Sequence, residues 1–115
     1  MRNVLRMGDI FRALADPTRR IILDELSIRD GQTLFEICGR LLSNHGLSPS
    51  RQSTSQHLEV LESAGLIATR RDGRYKFHYI NTAPLREINE RWPGKSAADG
   101  GAGLDGGTNT QDKKD

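Results

Sequence analysis

The chain has 115 residues, with 17 Lys and Arg against 15 Asp and Glu, three His and a single Cys. That length suits one domain with a modest core, and a lone Cys excludes an intramolecular disulfide framework. The longest aliphatic run, Ile21-Ile22-Leu23, falls far short of the ~20 apolar residues a membrane span needs. No apolar stretch follows the basic N-terminus, so no signal peptide is expected, and a reduced, cytoplasmic protein is.

The averages hide a division. Residues 93–115 (PGKSAADGGAGLDGGTNTQDKKD) hold six of the twelve Gly and only four apolar side chains, Ala97, Ala98, Ala102 and Leu104. Such a segment buries too little surface to offset its chain entropy, so a Gly-rich disordered tail is expected, a linker or processing remnant with no role of its own. Residues 1–92 keep 14 basic and 11 acidic side chains, a balance of +3, and form the expected globular domain.

Val4, Met7, Phe11 and Leu14 follow a 3-4-3 spacing with Ile10 beside them, which predicts an amphipathic helix over 4–15. Asp16-Pro17 ends it, because the residue before proline is pushed out of the helical region. The same pair opens a second helix, Asp16 as cap and Pro17 at the first helical position. That helix runs to about Ser27 with Ile22, Leu23 and Leu26 inward, leaving Asp24 and Glu25 as surface carboxylates. Residues 29–32 read as a turn. A third helix spans Thr33 to Leu42, with Leu34, Ile37, Cys38, Leu41 and Leu42 on its inner stripe and Cys38 as a core thiol.

Ser43 to Pro49 is a seven-residue connection of turn formers. A fourth helix opens at Ser50, buries Thr54, Leu58, Leu61 and Ala64, and stops at Gly65. The period then changes to two. Residues 66–71 and 75–80 flank Asp72-Gly73, a hairpin signal. Asn81-Thr82 caps a last helix through Leu85, Ile88 and Trp92, ended by Pro93-Gly94. The fold class expected is mainly α with a small β-hairpin, in the order α-α-α-α-β-β-α.

The fourth helix lacks the mixed Glu and Lys of an ordinary solvent face. Arg51, Gln52, Ser53, Ser55 and Gln56 offer short donors and acceptors suited to base edges in a major groove, and no carboxylate appears before Glu59. The helix start also favours a phosphate, since its free N–H groups carry partial positive charge. Taken alone, this is equally a polar exposed helix. The hairpin adds Arg70, Arg71, Arg74 and Lys76, four cations within seven residues. Such a ribbon can follow a phosphate backbone or enter a narrow minor groove; the less favoured reading is an edge strand protected from aggregation by charge. Together the two features point to nucleic acid. No Gly-rich phosphate loop or Gly-x-Ser-x-Gly elbow suggests an enzyme.

The run Leu14-Ala15-Asp16-Pro17-Thr18-Arg19-Arg20-Ile21-Ile22-Leu23 resembles the opening signature of ArsR/SmtB-type winged helix-turn-helix regulators. Residues 50–67 (SRQSTSQHLEVLESAGLI) are similar to that family's recognition helix and its exit into the wing, and Arg70-Arg71-Asp72-Gly73-Arg74 to its wing tip. The resemblance covers about residues 4–92. It implies a homodimer built on the first and last helices, through Val4, Met7, Phe11, Leu85, Ile88 and Trp92. It also implies a double-stranded inverted-repeat operator with half-sites about 10 bp apart. Gln52, Ser53, Ser55 and Gln56 would face bases; Ser50, Arg51 and His57 would serve phosphates; Arg70, Arg71, Arg74 and Lys76 would form the wing contacts. The expected role is that of a repressor.

Two departures follow. Metal-sensing members carry Cys-x-Cys on the third helix or Asp and His on the last. Here the third helix has only Cys38, and the last has no His, Cys or Asp. No metal or other cofactor is expected, since a soft metal needs two or three matched ligands. The second departure is the long 43–49 connection, which places His45 near the DNA backbone or leaves it idle. A protein-interaction module without sequence-specific DNA binding is the alternative reading.

Overall fold

The computed structural model describes residues 2–94, with side chains from Met7 onward. The predicted tail therefore lies outside the described residues except for Pro93 and Gly94. The order is α1 (Arg2–Leu14), α2 (Pro17–Ile28), α3 (Leu34–His45), α4 (Arg51–Ser63), β1 (Ile67–Asp72), β2 (Tyr75–Ile80) and α5 (Ala83–Arg91). Compact units divide the chain between Leu85 and Arg86.

In the first unit, α1, α2, α3 and α4 pack around Ile10, Ala13, Ile22, Leu26, Ile37, Leu41 and Leu61, all fully buried. On α1 the core takes Ile10 and Ala13, leaving Phe11 48% exposed. The apolar face of this helix is thus wider than the core it packs on. Asp16 caps α2 as its position predicts, accepting from the Arg19 N–H at 3.1 Å. Thr33 and Glu36 form a reciprocal capping box at the start of α3.

Several expectations fail on α3 and the face of α2 beside it. The helix runs to His45 rather than Leu42, because Ser43 and Asn44 continue it and Gly46 (φ 65°) caps it in the left-handed region, its N–H reaching the Leu42 carbonyl at 3.0 Å. The connection to α4 is correspondingly shorter. Leu42 is 57% exposed, and Cys38 is half-buried rather than a core thiol. Glu25 is no surface carboxylate either: it is 2% exposed. It lies three residues after Ile22, on the same inward face of α2.

The hairpin pairs Ile67 with Ile80 through Asp72 with Tyr75, so its two-residue turn is Gly73-Arg74, one residue later than predicted. Gly73 holds φ 65° there, and Arg74 becomes the tip. A single antiparallel bridge joins Gln32 to His78. Gln32 N–H donates to the His78 carbonyl at 3.1 Å and His78 N–H to the Gln32 carbonyl at 2.8 Å, tying the wing to the loop before α3. The 29–32 turn is therefore also a minimal third strand. Asp30 strengthens it by accepting from Ile80 N–H at 2.8 Å.

At the start of α5, the Asn81 side chain accepts from Ala83 N–H at 3.2 Å. In the second unit, Ile88 is half-buried, and Trp92 is 60% exposed beneath the Arg91 guanidinium, 5.3 Å from its ring centroid.

Candidate nucleic-acid interface

Helix α4 buries Thr54, Leu58 and Leu61, so its opposite face is fixed by the 3.6-residue period. Gln52 and Gln56 lie fully on that outer face, exposed; Ser53 and Ser55 flank it, half-buried. Thr54 is held by its hydroxyl donating to the Ser50 carbonyl at 3.0 Å. Ser50 is the N-cap, its Oγ accepting from Ser53 N–H at 3.0 Å. The hydroxyl proton of Ser50 remains able to donate outward. Arg51 lies over the ring of Phe35, 5.7 Å from its centroid.

The wing divides its cations by register. Arg71 pairs with Lys76, on the ribbon face shared with buried His78, whereas Arg70 pairs with Phe77 on the opposite face. Lys76 Nζ is 3.9 Å from Glu62 of α4, which also accepts from the Thr69 hydroxyl at 3.0 Å. Arg70, Arg71 and Arg74 are exposed, and none pairs with a carboxylate among the described residues. Between α4 and the wing lies an open cavity of about 310 Å³, with Phe35, Arg51, Ser55, Arg74 and Tyr75 on its walls. Phe35 and Tyr75, 71% and 57% exposed, were not singled out in the sequence. Phe35 falls off the inward stripe of α3, which is the signal that it faces out.

His57 is turned differently from its helix neighbours. Its Nδ1 lies 3.2 Å from Arg19 Nη1 and 3.8 Å from Asp16 Oδ2, and its side chain is 20% exposed. His45 reaches Glu25 Oε2 at 2.8 Å, which answers the question its loop position raised. Arg40 Nε donates to Glu25 Oε1 at 2.7 Å, and Asn44 donates to both oxygens at 3.2 Å. Burial pushes the Glu25 carboxyl up, but the bonds from Arg40, His45 and Asn44 outweigh it and hold the group below its ordinary 4.5. His78 lies in the core, donating Nδ1–H to the Gln32 carbonyl at 2.9 Å; burial pulls its imidazole below the ordinary 6.5.

A four-helix body that presents a helix start free of carboxylates from Arg51 to Gln56 beside an arginine-tipped ribbon has the form of a helix-turn-helix and wing. The sequence model of a helix-turn-helix domain matches residues 14–70. A protein of Bacillus subtilis named as an uncharacterized HTH-type transcriptional regulator, YuzN, is 47% identical over 83 residues, covering 72% of this chain and 90% of its own. The crystal structure of the ArsR family transcriptional regulator RHA00566 is 32% identical with a TM-score of 0.58, over 78% of this chain and 93% of that one. The chain belongs to the ArsR family of winged helix-turn-helix transcriptional regulators. The transcriptional repressor SdpR of Bacillus subtilis is also similar, 33% identical over 81 residues, 70% of this chain and 82% of its own. Membership makes the chain a transcriptional regulator and not an enzyme. Among the described residues, no helix is long and apolar enough to cross a membrane.

Proposed function

We propose that this ArsR-family chain is a homodimeric repressor acting in the cytoplasm, with α4 in the major groove of an inverted-repeat operator and the wing on the backbone or in the minor groove. The observation that carries this is the contrast in charge. Arg70, Arg71 and Arg74 stand exposed, with no carboxylate partner among the described residues, beside an α4 face that has no carboxylate from Arg51 to Gln56. Gln52 and Gln56 read base edges, with Ser53 and Ser55 at the margins. Ser50 and Arg51 contact phosphates, and His57 contributes through its outward ring edge. Lys76, held near Glu62, adds less than the three arginines. Half-exposed Phe11 and exposed Trp92, with Val4, Met7, Leu85 and Ile88, form the dimer surface; the Val4 side chain lies outside the described ones. Repression is supported by the likeness to SdpR.

Metal plays no part in this reading. His45, His57 and His78 are engaged with Glu25, with Asp16 and Arg19, and with Gln32 respectively, and among the described residues no three His, Cys, Asp or Glu side chains gather around one point. A gel-shift titration against the DNA upstream of the chain's own gene, repeated across salt, tests the proposal. At six to ten phosphate contacts, affinity falls ~10³–10⁵-fold between ~50 and ~200 mM salt. Failure to shift any duplex at low salt refutes it and favours a protein-binding role for the same face.

A further inference from the structure

Arg19 sits in the first turn of α2 and makes three contacts with one planar group. Its Nε donates to the Ala13 carbonyl at 2.8 Å and its Nη2 to the Arg12 carbonyl at 3.1 Å. Those are carbonyls of the last turn of α1, beyond the reach of the helix's own N–H groups; Arg12's also accepts from Ala15 N–H at 3.2 Å. The remaining nitrogen, Nη1, lies 3.2 Å from His57 Nδ1 on α4. A guanidinium can only donate, so this contact requires Nδ1 as acceptor and the imidazole proton on Nε2. His57 Nε2 has no partner among the described residues. It is not among the buried atoms lacking one, of which Gln32 Oε1 is the sole case among described side chains, so it reaches solvent. Asp16 completes the corner, binding the Arg19 N–H at 3.1 Å and lying 3.8 Å from the same Nδ1.

We propose that Arg19 is a positioning residue for DNA recognition, clasping His57 of α4 to the carboxyl end of α1 so that α4 keeps one register relative to the helix that carries Phe11. This rests on the DNA-binding reading of α4. The bases are read by short side chains, Gln52, Ser53, Ser55 and Gln56, which tolerate little displacement of their helix. α1 belongs to the dimer surface, so its link to α4 relates each reading head to the dimer axis and hence to the half-site separation. Lysine cannot replace this clasp: its ammonium is a point donor on a flexible stem, whereas the guanidinium holds three directions in one plane. The same contact fixes the His57 tautomer and leaves Nε2–H directed outward as a donor.

A pair of double-mutant cycles tests the clasp. Glutamine at 57 keeps a polar group near the place of Nε2 but none near Nδ1; asparagine does the opposite. Arg19→Met should weaken operator binding about ten-fold in the wild-type and His57→Asn backgrounds, the scale of one lost charge-assisted hydrogen bond. In the His57→Gln background it should weaken binding at most about two-fold, since the acceptor is already gone. Arg19→Lys should behave as Arg19→Met. Binding to random duplex and the salt slope should not change, because Arg19 touches no phosphate. A slope reduced by ~0.9 would mean a direct phosphate contact and would overturn the proposal. So would an equal effect of Arg19→Met in all three backgrounds.

Melting curves establish that each variant is folded at the assay temperature, and the same cycles read in urea unfolding report the contact itself. No coupling in unfolding refutes the clasp whatever the DNA result. Coupling in unfolding, with no duplex shifted by the wild-type chain, refutes the DNA-binding reading and this role of Arg19 together, and leaves only the contact.

Discussion

Replacing Glu25 with glutamine should destabilise the domain by about 2 kcal/mol. The carboxylate is 2% exposed and receives Arg40 at 2.7 Å, His45 at 2.8 Å, and Asn44 at 3.2 Å on each oxygen. Glutamine keeps one acceptor, which can still serve Arg40, but turns an NH₂ toward Asn44, donor against donor. The charge-assisted bonds to Arg40 and His45 each contribute ~1.5–3 kcal/mol net when the partners are desolvated. Both partners are 29% exposed at the side chain, so water recovers part of the loss and the sum is well below two full bonds. At ~4–8 °C per kcal/mol for a domain of this size, the melting midpoint should fall ~8–16 °C.

The assay is urea unfolding at fixed protein concentration, because any dimer adds a concentration term. Its pH dependence supplies a second reading. A carboxyl held below its unfolded value contributes stability that is fully present above that value and is lost as pH falls through the folded one. For Glu25 that loss lies below pH 4.5, and Glu25→Gln should remove this part of the acid sensitivity. A stability change under ~0.5 kcal/mol at neutral pH, within the range of ordinary surface substitutions, would mean that the network gives no more than a solvated carboxylate would.

Gly31→Ala should cost ~2 kcal/mol in urea unfolding, since Gly31 holds φ +71° and a Cβ there would meet Tyr79 Cε2 at 2.8 Å. Buried His78, held below its ordinary 6.5, makes a stability contribution that is complete above pH 6.5 and lost as pH falls through its folded value. Stability measured across pH should therefore drop in this higher window first, and His78→Asn should flatten it. Arg74→Ala at the wing tip should weaken binding to all duplexes and lower the salt slope by ~0.9, whereas Gln52→Ala should relax discrimination at one base position by ~1–3 kcal/mol. Equal losses on operator and random DNA for both variants would contradict this division of labour in gel-shift titrations.

Periodicity and caps carried most of the fold. Asp16-Pro17, Ser50 and Gly65 are local devices, each satisfying backbone groups within a few residues, so their meaning survives without tertiary information. What escaped was whatever depends on a distant partner. Glu25 reads as a surface carboxylate because burial of a charge is rare unless it is paired, and its partners Arg40, Asn44 and His45 lie on another helix. The end of α3 was misplaced for a related reason: Ser43 and Asn44 are turn formers in isolation, and here Asn44 is held in the helix by its bonds to that same carboxylate.

The interface shows the same limit in a sharper form. Composition alone places Arg70, Arg71, Arg74 and Lys76 together, yet strand register sends Arg70 to one face of the ribbon and Arg71 with Lys76 to the other. A shift of one residue in the turn, from Asp72-Gly73 to Gly73-Arg74, decides which arginine stands at the tip. His57 belongs to the recognition helix by sequence, but its ring meets Arg19 and Asp16, of which the sequence pattern gives Asp16 only the capping of α2 and Arg19 no contact at all. The corner residues thus serve two helices at once. The local role of Asp16, capping α2, can be tested by helix stability alone, while the role of Arg19 can be separated from it only by measuring DNA binding, because only there does the orientation of α4 relative to α1 have a consequence.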